Sequence, residues 1–150
     1  MPEKIETLQN LTTELIEKLA MPAKVSVTEV EGTLGVSLDG ENLGILIGYH
    51  GETLASLQTW LALALYNKYG EWVDLRLDIS GYASEREARL REIATNACDR
   101  ARFLDKAIDL PPMPPFERRL IHTVIGTMPG MKSESAGEGY ERHIVVSVVK

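Results

Sequence analysis

Apolar residues along this chain of 150 residues recur at two different spacings, and the spacing changes several times between the two ends. A spacing of three to four residues is typical of helices, whereas strict alternation is typical of strands. The segments predicted to be helices are 3–20, 41–47, 51–70, 84–108 and 115–127. The segments predicted to be strands are 25–27, 34–38, 72–79, 131–136 and 144–149. The chain is therefore predicted to have an α+β fold with short strands.

Charged residues are distributed unevenly between the two halves of the chain. Residues 1–79 contain 5 Lys and Arg against 12 Asp and Glu, a balance of −7, whereas residues 80–150 contain 11 against 10, a balance of +1. The balance changes near Gly81, where a turn is also expected, so we predict two modules, 1–80 and 81–150. The acidic first module repels a phosphate backbone at long range, so any nucleic-acid binding there depends on local geometry.

The composition argues against a membrane, secreted or metal-binding protein. The longest apolar run, Trp60–Tyr66, has seven residues, whereas a membrane helix needs about 20. The first 19 residues lack the apolar core of a signal peptide. The one cysteine, Cys98, excludes an internal disulfide, and neither Cys98 nor the three histidines have the spacing of metal ligands. We expect a cytoplasmic protein with no membrane insertion, no metal and no cofactor.

Two short motifs could bind phosphate. The glycine loop, Gly48-Tyr49-His50-Gly51, lies between two predicted helices, and the N–H groups at the start of a helix attract anions. In the helix predicted at 115–127, Arg118, Arg119 and His122 share a side that is expected to face solvent. The apolar residues on the opposite side are Phe116, Leu120, Ile121, Val124 and Ile125. Each motif alone also fits an ordinary structural role, as a tight corner or a solvated helix face.

The residues around the glycine loop resemble the core of a KH RNA-binding domain. The resemblance covers Leu43–Leu54 with Leu57-Gln58, and the predicted element order α-β-β-α-α-β matches the KH type common in bacteria. The resemblance implies that the loop contacts the backbone of about four single-stranded nucleotides. It implies that the nucleotide backbone is contacted by Gly48, Tyr49, His50 and Gly51, and that an apolar groove beside it is bordered by Ile47 and Leu54. Since Tyr and His stand where Lys or Arg is usual, we expect this loop to bind weakly.

The second module resembles the R-three-H domain, which is named for its Arg-x-x-x-His signature and binds single-stranded nucleic acid. The resemblance covers Leu110–His122, with Ser133-Glu134-Ser135 and Gly137-Glu138-Gly139 downstream. Arg118 and His122 occupy the signature positions, and Arg142 and His143 fall where the family often has paired arginines. The sequence departs from the family pattern at Pro114, where a polar residue is common, and at His143.

A KH-like module joined by a long helix to an R-three-H module is the arrangement of the bacterial Jag family, also called the SpoIIIJ-associated proteins. The resemblance covers about residues 23–150. It implies a non-catalytic protein that binds single-stranded RNA, or single-stranded DNA, through both modules. It further implies a post-transcriptional regulator or RNA chaperone linked to cell elongation, division or envelope assembly. A small single-KH-domain protein is the implied protein partner.

Two other function classes remain open from the sequence. The acidic first half also fits a protein–protein interaction module whose nucleic-acid binding is weak or lost. An enzyme would need an acid–base pair, for which Asp74 and Asp78 on one predicted strand are the candidates. Other residues are interpreted as structural: Trp60 and Tyr66 as packing residues, Cys98 as a core residue, and the arginines of 84–108 as a salt-bridged face.

Overall fold

The computed structural model describes residues 2–150, which divide into two compact units, one ending at Ser84 and the other comprising Glu85–Lys150. The elements of the first unit are α1 (Pro2–Lys18), β1 (Lys24–Val30), β2 (Thr33–Asp39), α2 (Gly44–Ile47), α3 (Glu52–Tyr69) and β3 (Leu75–Ile79). Helix α4 (Tyr82–Leu104) begins in the first unit and continues in the second. The other elements of the second unit are β4 (Ile108–Asp109), α5 (Pro115–Gly126), β5 (Met131–Ala136) and β6 (His143–Val148). The predicted α+β fold is confirmed.

The first unit has the predicted α-β-β-α-α-β order. Strand β2 lies at the centre of its sheet, antiparallel to β1 and parallel to β3. The hairpin turns at Glu31 and Gly32, which both have positive φ, as a two-residue turn between twisted strands requires. The alternating residues of β2 and β3 are buried and pack with residues of α1 and α3 in one core. The core members from the two strands are Leu34, Val36, Leu38, Leu75, Leu77 and Ile79.

One face of α3 is exposed, although part of it was expected to be packed. Trp60 and Tyr66 were interpreted as packing residues, but both are exposed, and Leu63 between them is exposed as well. The Tyr66 ring stacks on the exposed ring of Trp72, with centroids 4.4 Å apart. The buried stripe of the helix consists of Leu54, Leu61 and Leu65, so the outer apolar residues form a separate surface, here called the α3 outer face.

The carboxylate of Asp78 caps the start of α4. Asp78 Oδ1 accepts hydrogen bonds from the backbone N–H groups of Ile79 and Ala83, each at 2.8 Å, and Ser84 Oγ donates to Oδ2 at 3.1 Å. The first N–H groups of a helix have no partner within it, and a negative charge there is favourable. The helix predicted at 84–108 therefore begins two residues earlier than expected, at Tyr82.

The second unit packs α4 and α5 with an antiparallel sheet of order β4-β6-β5. Small side chains dominate the buried stripe of α4, where Cys98 is a core residue as expected and burial raises the pKa of its thiol. Helix α5 begins at Pro115, as the proline run predicts. The prediction that Ile108 belongs to the preceding helix was wrong. That helix ends at Leu104, and Ile108 pairs with Val146 in the sheet.

Glu117 occupies the first position of the buried stripe of α5. This stripe consists of Glu117, Ile121, Val124 and Ile125, at the i, i+4, i+7 and i+8 positions of the helix. Glu117 is 1% exposed, and its carboxylate accepts hydrogen bonds from Arg86 Nε at 2.7 Å and Nη2 at 3.1 Å. Phe116, which was expected on the apolar side, is instead exposed. An anion can take an apolar position here because a two-donor ion pair compensates for its burial.

Two arginines of α4 form ion pairs along the helix, as expected for a salt-bridged face. Arg91 pairs with Glu87 at 3.1 Å, and Arg89 pairs with Glu92 at 3.3 Å. Arg86 is turned toward Glu117 and so does not belong to a purely solvated face. The helical spacing identified near neighbours correctly but could not reveal a partner on another helix.

We predict that Glu117→Ala lowers the free energy of unfolding by about 2–3 kcal/mol, because it removes two hydrogen bonds to Arg86 and opens a void. Urea denaturation measures the change. The control Glu87→Ala removes a half-exposed carboxylate that pairs with Arg91, and it should cost less than about 1 kcal/mol. Equal costs for the two variants would mean that the buried ion pair does not hold α5 in place.

Candidate nucleic-acid interface

Gly48 is required by the packing within the glycine loop. Its φ of 72° lies in the left-handed region, and its N–H donates to the Gly44 carbonyl at 3.0 Å, which ends α2. A Cβ at this position would overlap the side-chain oxygen of Thr53, in the first turn of α3. Glycine is therefore needed here for a sharp turn between two helices that are in close contact.

Gly51 is buried, and the group that approaches it closely is a side chain of the same unit. It has a φ of 82°, and a Cβ on it would lie 3.0 Å from Cε1 of Tyr82, at the start of α4. The resemblance to a KH domain implied that Gly51 contacts a nucleotide backbone. In the structure, the space next to it is occupied by Tyr82.

The middle of the glycine loop presents two rings. The rings of Tyr49 and His50 lie 4.1 Å apart between centroids, and Tyr49 is 49% exposed. His50 is partly exposed and has a φ of 51°. The loop can therefore offer ring faces and backbone groups to a ligand, but no permanent cation of its own.

The apolar surface beside the loop differs in one residue from the expected one. Ile47 is partly buried, whereas Leu54, which was expected to border a groove, is a core residue. Ile45, in the same short helix as Ile47, is 74% exposed. The sequence carries no signal for Ile45, since a four-residue helix has too few positions to define a buried side by periodicity.

In the second unit, Arg118 and His122 meet two serines of strand β5. His122 Nδ1 lies 2.7 Å from Ser133 Oγ, and His122 Nε2 lies 3.3 Å from Ser135 Oγ. Arg118 Nη1 donates to the same Ser135 Oγ at 3.4 Å. A guanidinium, an imidazole and two hydroxyls thus converge on a small area. We call Arg118, His122, Ser133 and Ser135 the Arg–His cluster.

Strand β5 explains why two of the three α5 residues that were predicted to face solvent are only partly exposed. Arg119 is exposed, as predicted, but Arg118 and His122 are half-buried against β5. Residues at i and i+2 of a strand point to the same face, and residues at i and i+4 of a helix share a side. The Ser-x-Ser spacing of β5 therefore matches the Arg-x-x-x-His spacing of α5. That match was the available sequence signal for the serines.

The surroundings of His122 favour its neutral form. Partial burial lowers its pKa below the usual value, and the nearby positive charge of Arg118 lowers it further. A neutral imidazole has one donor and one acceptor nitrogen, and a serine hydroxyl can match either. The two hydrogen bonds to the serines can therefore persist when the ring gains a proton.

Arg142 and His143 lie at the start of β6 and have different surroundings. Arg142 Nη1 donates to the Gly137 carbonyl at 2.7 Å, and the Arg142 carbonyl accepts a hydrogen bond from the Met113 N–H at 3.3 Å. The Met113 carbonyl in turn accepts a hydrogen bond from Arg118 Nε at 3.1 Å, so the backbone of Met113 links Arg142 to the Arg–His cluster. His143 Nε2 lies 3.1 Å from Asp109 Oδ1. The imidazole of His143 is therefore engaged by a carboxylate.

The carboxylates considered for an enzyme have structural partners. Asp78 caps α4, and Asp74 Oδ2 accepts a hydrogen bond from Thr33 Oγ1 at 2.7 Å. Within residues 2–150, no group of three or more His, Cys, Asp or Glu residues could hold a metal ion. In the same part of the chain, no helix combines the length and apolar character needed to cross a membrane.

Comparison with known protein families matches both units. The family model described as "KhpA/KhpB, KH domain" matches residues 6–79, and the R-three-H domain model matches residues 88–148. Both are binding domains without a catalytic function.

Three curated relatives are each named RNA-binding protein KhpB. The protein from Clostridium symbiosum is 32% identical over 149 residues, which cover 95% of this chain and 67% of the relative. The protein from Bacillus subtilis is 33% identical over 150 residues, which cover 97% of this chain and 72% of the relative. The protein from Streptococcus pneumoniae serotype 2 is 28% identical over 132 residues, which cover 88% of this chain but only 40% of the relative. Because a KH domain is followed by an R-three-H domain and the match extends over most of two of these relatives, the chain belongs to the KhpB proteins of the Jag family.

Proposed function

We propose that this chain is a non-catalytic single-stranded RNA-binding protein whose principal phosphate contact is the Arg–His cluster. Its relatives are named as RNA-binding proteins, and both matched domain types bind single strands. The observation that carries the proposal is the convergence of Arg118 and His122 on one hydroxyl, that of Ser135. A phosphate at this place would meet donors of three kinds.

The geometry of the cluster suits an anion. The guanidinium has five N–H donors, and its two hydrogen bonds within the protein leave donors for a ligand. Half-burial of Arg118 reduces the screening of its charge by water. The hydrogen bonds to Met113 and Ser135 hold its guanidinium group in one orientation. Exposed Arg119 and neighbouring Arg142 add positive charge on the same unit. We do not assign such a role to His143, since Asp109 engages its ring.

The glycine loop provides a second, weaker contact in this proposal. Gly48, Tyr49 and His50 would contact the sugar-phosphate backbone, while Gly51, buried against Tyr82, supports the shape of the loop. Ile45 and Ile47 form the adjacent apolar surface, and Leu54 supports them from the core. The loop contains no Lys or Arg, and residues 1–79 have a charge balance of −7. Its affinity would therefore depend on stacking and backbone contacts more than on charge.

The proposed cellular role rests on membership of the Jag family, and binding at two places is compatible with it. Two weak sites in one chain can hold a strand more tightly than either site alone, provided that both engage together. We propose that the protein acts in the cytoplasm as a post-transcriptional regulator or RNA chaperone, with effects on cell elongation, division or envelope assembly. Single-stranded DNA is the alternative ligand, and it differs from RNA in lacking the 2′-hydroxyl.

We also propose a small single-KH-domain protein as a partner, bound through the α3 outer face. Trp60, Leu63 and Tyr66 lie exposed on one side of α3, and Trp72 extends this surface by stacking on Tyr66. Large apolar side chains grouped on a surface are typical of protein interfaces. This face is distinct from the glycine loop, so a partner could bind there without covering the loop.

We predict that Arg118→Ala weakens RNA binding for all sequences and lowers the slope of log affinity against log salt by about 0.7, the value for one phosphate contact on a single strand. The measurement is titration of a fluorescent single-stranded RNA library, with the same sequences as DNA for comparison, at several salt concentrations. Arg100→Ala removes an exposed cation of α4 and should leave the slope unchanged. Arg118→Ala should lose about 1 kcal/mol of stability through its lost internal hydrogen bonds, and remain folded.

The same titration contains the outcomes that would contradict the proposal. An unchanged slope in Arg118→Ala would remove the cluster from the phosphate site. A larger loss of affinity in Tyr49→Ser/His50→Ser would make the glycine loop the principal contact. If the wild-type protein binds neither RNA nor DNA, the alternative function as a protein–protein interaction module is favoured.

We predict that RNA affinity increases as the pH falls from about 7.5 to 5.5 and that His122→Gln reduces this increase. The pKa of His122 is below 6.5 in the unliganded protein, and a bound phosphate favours the protonated ring and raises it. Binding then takes up a proton, so affinity rises between the two pKa values as the pH falls. The measurement is RNA titration of both proteins across this pH range.

Protonation of His122 affects the stability of the protein in the opposite direction to its effect on RNA affinity. The unfolded chain has the ordinary histidine pKa and binds a proton first, so stability falls as the pH drops below about 6.5. Unfolding must therefore be followed at each pH. Identical pH profiles of affinity for wild type and His122→Gln would show that the ring does not gain charge on binding.

We predict that Leu63→Glu weakens binding of the single-KH partner at least tenfold, about 1.4 kcal/mol, because it places a charge in the α3 outer face. Titration calorimetry with the purified partner measures this, and Leu63→Met, which keeps the surface apolar, should bind as wild type does. RNA affinity should be the same in all three proteins. Unchanged partner affinity in Leu63→Glu would place the partner elsewhere.

A further inference from the structure

The loop between β5 and β6 has a fixed shape. Arg142 Nη1 donates to the Gly137 carbonyl at 2.7 Å, and the Arg142 N–H donates to the Gly139 carbonyl at 3.2 Å. The Glu141 N–H donates to the Glu138 carbonyl at 3.1 Å. Gly137 has a φ of 84°, and a Cβ there would lie 3.0 Å from the Glu141 carbonyl oxygen. These contacts hold the loop closed on itself.

Tyr140 is presented at the tip of this loop. It is 82% exposed, although a tyrosine has a large apolar ring. The residues on both sides of it take part in the hydrogen bonds that close the loop, so the ring is carried on an ordered backbone. Such a ring is partly organised in advance and loses less conformational freedom on binding a ligand than a ring on a mobile loop.

Both ends of the loop are connected to the Arg–His cluster. Strand β5 enters the loop shortly after Ser135, whose hydroxyl contacts Arg118 and His122. The chain leaves the loop at Arg142, which the backbone of Met113 links to Arg118. Tyr140 is two residues from Arg142, a span of about 7 Å at most. Tyr140 is therefore carried on a short loop that is attached to the cluster at both ends.

We propose that Tyr140 is a base-stacking residue, on which one nucleobase of a single strand rests while the Arg–His cluster holds the strand's phosphates. This proposal rests on the proposed function. Exposed carboxylates of Glu138 and Glu141 lie on either side of the tyrosine. They disfavour phosphate at the loop tip, so the backbone is directed to the arginines and the base to the ring.

The proposal is tested by titrating a short fluorescein-labelled ribo-oligonucleotide and an oligonucleotide of the same length that lacks bases. With the normal oligonucleotide, Tyr140→Ala should bind about five- to one-hundredfold more weakly, the effect expected for loss of one stacked base. The salt slope should not change, because no cation is removed. With the abasic oligonucleotide, Tyr140→Ala and wild type should bind equally.

Two further variants serve as controls. Tyr140→Phe keeps the ring face and should bind as wild type does. Phe103→Ala removes a ring at the end of α4 that is 89% exposed and is joined to the Arg–His cluster by no hydrogen bond or ion pair among residues 2–150. It should leave RNA affinity unchanged. Tyr140 is highly exposed, so Tyr140→Ala should retain the thermal stability of the wild type, which a melting curve checks.

Each of the other outcomes would overturn either base stacking by Tyr140 or the proposed function. Equal affinity of wild type and Tyr140→Ala for the normal oligonucleotide would overturn base stacking while leaving the proposed function intact. An equal loss on the abasic oligonucleotide would show a backbone contact and would also overturn it. A wild-type protein that binds neither oligonucleotide would overturn the proposed function itself, and base stacking with it.

Discussion

The carboxylate of Glu117 is the polar group on which the arrangement of the second unit depends. It is 1% exposed and is compensated by the two hydrogen bonds from Arg86. Successive residues of a helix differ in direction by about 100°, so an inward position for Glu117 also determines the directions of the next two residues. Arg118 lies against the edge of β5, and Arg119 is exposed. The ion pair thus sets the rotation of α5 and, through it, the position of the residue that we propose to hold phosphate.

Most of the fold could be predicted because its signals are local. The start of α5 at Pro115 and the limits of β5 each depend on a few consecutive residues, and each agrees with the structure. The errors concern residues whose partners are distant in sequence. Ile108 fits a helical stripe, but it pairs with Val146. Glu117 interrupts an apolar stripe only until Arg86, 31 residues earlier, is brought next to it.

The site was predictable in its residue types but not in its environment. The Arg-x-x-x-His spacing correctly indicated that Arg118 and His122 are neighbours. It could not show that a strand covers them, because that contact needs the serines of β5 to be placed beside α5. The same limit applies to His143, whose ring is engaged by Asp109 of another strand. Family resemblance supplies positions, whereas hydrogen bonds within the protein decide which groups remain available to a ligand.

The contact between Tyr82 and Gly51 has a consequence for how this architecture can be divided and recombined. The first residue of the long helix forms a wall of the glycine loop, and Asp78 of the last strand anchors the turn that carries it. A KH domain excised after β3 would lose that wall and leave the inner glycine uncovered. The start of the connecting helix therefore belongs to the KH domain as a structural unit. Exchange of domains between related proteins would preserve the loop only if the crossover falls beyond Tyr82.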